Sequence, residues 1–148
     1  TQHFGYFWAL LVLGFAIGAF MANQLVKTRS IPTILNTGFV FLIAGAAILF
    51  AVTYNANDTI TSLAVGMTLI ALGEGLIFST TPTLAMKAST SRTGSAAAML
   101  VTFEMCFGAM AALAVGILHD GSSKPFGLTI AALAICTGLS IFLKETEV

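Results

Sequence analysis

The sequence predicts an all-α protein, a polytopic bundle of five transmembrane helices. Three observations carry this. Hydrophobic residues make up 57% of the chain, charged residues only 8%, and the mean hydropathy is +0.98. A soluble domain averages roughly 25% charged residues, so this chain has too few to cover a water-facing surface. Its apolar residues fall into five runs, each long enough to cross a hydrocarbon core about 30 Å thick, which takes about 20 helical residues. No run shows the alternation of about ten residues that a membrane barrel needs.

The first span is read over 4–26 and ends at the polar Lys27-Thr28-Arg29-Ser30. It is not a signal peptide, because it lacks a basic leader, exceeds the usual apolar length of about 7–15 residues and has no small-x-small cleavage site. The second runs over 32–53, with Pro32 placed in a first turn, where its missing N–H leaves nothing unpaired. The turn cluster Asn55-Ala56-Asn57-Asp58-Thr59 follows, with Asp58 or Thr59 as the N-cap of a third span over 60–86. A short basic Ser/Thr-rich link at 87–92 leads to the fourth span, 94–118. The polar turn His119-Asp120-Gly121-Ser122-Ser123-Lys124 precedes Pro125 and the fifth span, 125–143. The whole of 1–148 reads as one transmembrane domain.

Lys27, Arg29, Lys87, Arg92 and Lys144 fall on one side of these spans and only Lys124 on the other. Basic loops stay cytoplasmic, so the N-terminus is expected outside, in the periplasm, and the C-terminus in the cytoplasm. Tyr6, Trp8 and Tyr54 then gather at the outer interface, where amphipathic rings favour the headgroup zone. The net charge of zero argues against nucleic acid as a partner.

Two acids stand out. Glu74 and Glu104 each occupy the middle of an apolar span. An acidic or basic side chain at a helix centre is unfavourable by roughly 2.5–3.5 kcal/mol, so a use is expected. Both are candidates for proton or cation handling. Glu104 shares a helix face with Gly108, Ala112 and Gly116, a spacing that lets two helices approach closely. It reads either as an acid aimed into that seam or as an interhelical hydrogen bond that stabilises packing. Glu74 lies between Gly73 and Gly75, with Ser79-Thr80-Thr81-Pro82 beyond it. That segment reads as flexible and hydrated, or as an ordinary proline kink whose freed carbonyls are met by the Thr80 and Thr81 hydroxyls. Gly14, Gly18 and Ala22 form a further packing series. Ser79, Thr80, Thr81, Thr102 and Asn23 are weaker candidates for lining a substrate cavity. The second and fifth spans carry no ionisable residue and are expected to face lipid.

Cys106 and Cys136 have neither Cys-x-x-Cys nor histidine spacing and read as small hydrophobes, so no metal site or disulfide is expected. His3 and His119 lie at the outer, polar ends, which disfavours an intramembrane haem pair. No cofactor is expected, and no nucleophile–base pair suggests an enzyme.

Residues 18–38, GAFMANQLVKTRSIPTILNTG, resemble the linker between the second and third helices of each half of a major facilitator superfamily transporter. Residues 94–121, GSAAAMLVTFEMCFGAMAALAVGILHDG, resemble the eleventh helix of the superfamily's drug:proton antiporters. Within that group the chain is most similar to the bicyclomycin/chloramphenicol-resistance (Bcr/CflA-like) branch, chiefly at Gly94, Ser95, Ala96 and Gly108. The resemblance implies helices eight to twelve of a twelve-helix protein of the cell inner membrane, with the seventh helix and the N-terminal half outside this chain. It implies alternating access, a small amphiphilic or drug-like substrate, and protons as the driving ion. It departs from the pattern where Asn23-Gln24 stand near the usual linker acid, where Ser30 replaces a usual glycine, and where Glu104 stands at a position often filled by glutamine. The rival reading is a membrane scaffold or small subunit, with both glutamates as interhelical glue.

Overall fold

In the computed structural model, residues 2–55, 59–88 and 93–145 are described, with side chains for 5–55, 59–87 and 94–138. Asp58 and Arg92, and the side chains of His3 and Lys144, lie outside these. All the regular structure is helical: α1 (Gln2–Leu25), α2 (Ile31–Tyr54), α3 (Ile60–Ala88), α4 (Thr93–Leu118) and α5 (Lys124–Glu145). Helices α1 to α4 are long and apolar enough to cross a membrane, whereas the apolar stretch described in α5, Lys124–Gly138, is shorter.

The helix ends follow local chemistry. Past α1 the backbone turns on Arg29 N–H donating to the Leu25 carbonyl at 2.7 Å. Ser30 precedes α2 in an extended conformation, its Oγ 2.8 Å from Thr33 Oγ1, and Pro32 falls in the first turn. Asn55 closes α2 by donating its side-chain amide to the Ala51 carbonyl at 2.8 Å. Of the two caps expected for α3, Thr59 is seen acting: its Oγ1 accepts from Ser62 N–H at 3.3 Å. Between α4 and α5, Asp120 accepts from the hydroxyl and the N–H of Ser122, at 2.6 and 3.0 Å. Those two bonds hold the Asp120 carboxyl below its ordinary range. Gly121 in the same turn takes φ +84°, a backbone conformation that favours glycine.

The assembly is organised around α3. Its glycines let two helices approach to backbone contact. On one side Gly38 of α2 meets Gly73, and Gly45 meets Gly66; a Cβ on Gly73 would lie 2.6 Å from the Gly38 carbonyl oxygen. As one residue number rises the other falls, so α2 and α3 run antiparallel. On the other side Gly14 meets Thr68 and Ala71, and Gly18 meets Leu72 and Gly75. Here the numbers rise together, so α1 runs parallel to α3. Helix α5 joins against α2, where Gly127 packs against Thr53. The core is the cluster of Ala22, Ile34 and Leu76, one residue from each of α1, α2 and α3. Helix α4 stands apart, with Val101, Phe103, Met105, Phe107, Met110, Leu113 and Ile117 all exposed.

Candidate functional site

Glu74 follows Gly73 and precedes Gly75. Gly73 is buried against α2 and Gly75 against α1. Each residue turns a helix by about 100°, so Glu74 lies between these two contacts on the open side of α3, away from Leu76, which fills the core between α1 and α2. The flanking glycines therefore serve close helix packing on both sides of the acid. Glu74 is itself exposed, and it opens onto a cavity of about 430 Å³. Trp8, Leu11, Val12 and Phe15 of α1 wall one side, with Leu42 of α2 and Met67, Ile70 and Ala71 of α3. Phe126, Ile130, Leu133, Ala134 and Thr137 of α5 form the roof. Thr137 donates its hydroxyl to the Leu133 carbonyl at 2.9 Å, and Phe15 meets Phe78 edge to face with ring centroids 5.8 Å apart.

Glu104 is absent from this lining. It sits half-buried on α4, with its Oε2 buried and unpartnered among the described residues. Gly108 and Gly116, on the face it shares, meet no neighbour among the described residues: a Cβ at either glycine would find no atom within 4 Å. The first-helix series is different, since Gly14 and Gly18 pack directly on α3.

The hydroxyl candidates bond within their own helix. Ser79 donates to the Gly75 carbonyl at 2.9 Å, Thr80 to Leu76 at 2.9 Å and Thr81 to Ile77 at 2.8 Å. Pro82 withholds an N–H from the carbonyl of Phe78, four residues back, so these hydroxyls reinforce the preceding carbonyls and not the one that proline frees. Thr80 is buried in the packing. Thr102 donates to Ala98 at 2.8 Å and is exposed, as is Asn23. None of the five lines the Glu74 cavity.

Two sets of residues at the site were not singled out from the sequence. The glycines of the α2–α3 seam carry a legible signal, a seven-residue spacing repeated on both helices. The wall residues Trp8, Phe15 and Phe126 carry none, because bulky apolar residues are common on every span. Helix α5, expected to face lipid for want of ionisable residues, supplies the roof with an uncharged face. Cys106 and Cys136 are free thiols, and no cluster of three potential metal ligands occurs among the described residues. No protein-family model, curated protein or solved structure matches the chain.

The arrangement can do one kind of chemistry. An acid opening onto a cavity lined almost wholly by apolar side chains can take up a proton or a cation, because its bare negative charge is poorly tolerated with neither.

Proposed function

We propose that this chain is the C-terminal part of a proton-coupled transporter that exports small amphiphilic molecules by alternating access across a cell inner membrane. The observation that carries the reading is Glu74: a mid-helix carboxylate opening onto a drug-sized cavity, held there by two glycines that bring neighbouring helices to backbone contact. The resemblance of residues 18–38 and 94–121 to drug:proton antiporters supports it. In such a mechanism one bundle rocks against the other around a midplane site, and an acid at that site links proton entry to substrate exit. The partner bundle is the N-terminal half that the resemblance implies, and the outward face of α4 is the surface left for it. Glu74 is the principal proton-handling group, and Glu104, away from the cavity, has a secondary role. The N-terminus is periplasmic and the C-terminus cytoplasmic.

The test uses the whole transporter in everted membrane vesicles. Export of a fluorescent amphiphilic dye is followed with and without an imposed pH gradient. Glu74→Gln is expected to abolish the gradient's effect, whereas Glu74→Asp preserves part of it. Gradient-driven export that survives Glu74→Gln unchanged excludes the reading.

A further inference from the structure

We propose that the groove between α2 and α5 binds one anionic phospholipid of the surrounding bilayer, with its headgroup at Lys124 and an acyl tail along the groove. The inference needs only that the chain spans a membrane. It holds under the transporter and the scaffold readings alike.

The groove holds about 560 Å³ and is lined by apolar residues alone. Ala46 and Ala134 are buried and form its floor. Ile43, Phe50, Leu128 and Ile135 stand exposed along its banks. Thr53, in the last turn of α2, packs against Gly127, in the first turn of α5, so those two helix ends lie together. The described part of the groove extends on α5 from Leu128 to Gly138, ten residue rises or about 15 Å. That is half of a hydrocarbon core about 30 Å thick, so the tail of one leaflet fits along it.

The Lys124 end fixes the headgroup. Lys124 opens α5 four residues before Leu128, so it stands on the same helix face, one turn beyond the groove. Its side chain is exposed. Asp120, the described acid nearest to it in sequence, already accepts from the hydroxyl and the N–H of Ser122. A lysine at the end of a membrane helix extends its ammonium into the headgroup zone. Tyr54 at the same end is exposed and stacks on Phe50, with ring centroids 5.6 Å apart. Tyrosine favours that same zone.

A cation at the interface with an apolar slot beneath it complements a phosphate head on a hydrocarbon tail. A zwitterionic lipid carries its own cation beside the phosphate and offers Lys124 less net charge. A second copy of the chain fits worse. Two copies share one orientation in a membrane, so pairing through this face would bring Lys124 against its counterpart at the same depth.

The test places the full-length protein in phosphatidylcholine vesicles with a trace of diazirine-tailed phosphatidylglycerol, or of phosphatidylcholine with the same tails. After irradiation, labelled peptides are quantified by mass spectrometry. Phosphatidylglycerol is expected to label 43–50 and 128–138 about fivefold more than phosphatidylcholine, the preference that one lysine near an anionic lipid confers. Lys124→Gln should bring phosphatidylglycerol down to the phosphatidylcholine level, and Lys124→Arg should keep the preference. Lys87→Gln, at the end of α3, should match the parent. Ala47→Phe and Ala132→Phe, at exposed positions in the lining, fill the groove and should lower labelling by both lipids severalfold. Circular dichroism of each variant separates lost binding from lost folding. Equal labelling by the two lipids overturns the proposal, as does a preference that survives Lys124→Gln. Labelling as strong on the exposed face of α4 as in the groove means a general lipid shell and overturns it too. Labelling that falls as the protein-to-lipid ratio rises puts a second copy in the groove and removes the lipid as its occupant.

Discussion

Glu74 and Glu104 are the same residue type in spans of similar length, and the fold treats them differently. Glu74 opens onto a cavity with four helices around it, while Glu104 leaves one carboxyl oxygen buried and unpartnered on the most loosely held helix. A buried polar atom without a partner typically destabilises by about 1–3 kcal/mol, more when the group is charged. Among the described residues nothing offsets that, because Gly108 and Gly116 on the face beside Glu104 have no other helix within reach. Glu104→Leu is therefore expected to stabilise the isolated chain by about 1–3 kcal/mol, read as a raised midpoint in denaturant unfolding in detergent micelles. A loss of stability would show that Glu104 already has a partner within this chain. Under the transporter reading the same substitution in the full-length protein is a separate matter, since a second bundle on α4 would supply the missing donor.

At the scale of elements, the three-helix core depends on glycines at crossings. A Cβ on Gly75 would run into the Phe15 carbonyl and come within 2.8 Å of the Ala19 nitrogen. One on Gly73 would lie 2.6 Å from the Gly38 oxygen and 2.9 Å from the Leu42 nitrogen. These neighbours are backbone, which cannot swing aside, so the helices themselves must separate. Gly73→Ala and Gly75→Ala are each expected to destabilise the chain by about 1–3 kcal/mol, the usual effect of overpacking. Gly108→Ala and Gly116→Ala meet open space and should cause no loss. Thermal unfolding of the four variants in detergent checks the contrast, and equal losses at all four would remove the crossing argument. The contrast also shows what the sequence could reveal. Helix spans were legible because span length is a property of one segment, and the helices start and stop within two residues of the boundaries read from apolar runs. Packing was legible only in part, because a crossing belongs to two segments. Gly14 and Gly18 found a partner in α3, whereas Gly108 and Gly116, with similar spacing, found none. The site followed the same rule. Glu74 announced itself as a charge in the middle of an apolar span, while its walls depend on which face α5 turns inward, and no single-segment pattern encodes that.

For the whole molecule, the uneven packing implies uneven stability. Helices α1, α2 and α3 share a buried core and two glycine seams, and α5 is pinned to α2 at Thr53. Helix α4 has no residue of its span buried inside the protein. Local opening is easiest where few apolar contacts must break, so protection from exchange should fall along the same series. Hydrogen–deuterium exchange of the chain in detergent is expected to label α4 amides first and those of α3 around Gly73 to Leu76 last. The order carries a functional consequence under the transporter reading. If the outward face of α4 is where the other half docks, co-purification with that half should raise protection in α4 selectively and leave α3 nearly unchanged, because α3 already has its neighbours. A uniform rise across all five helices would point to general tightening in place of docking on α4. Fast exchange in α4 with no response to the other half would leave that face turned to lipid, and the contact between bundles would have to be sought elsewhere on the chain.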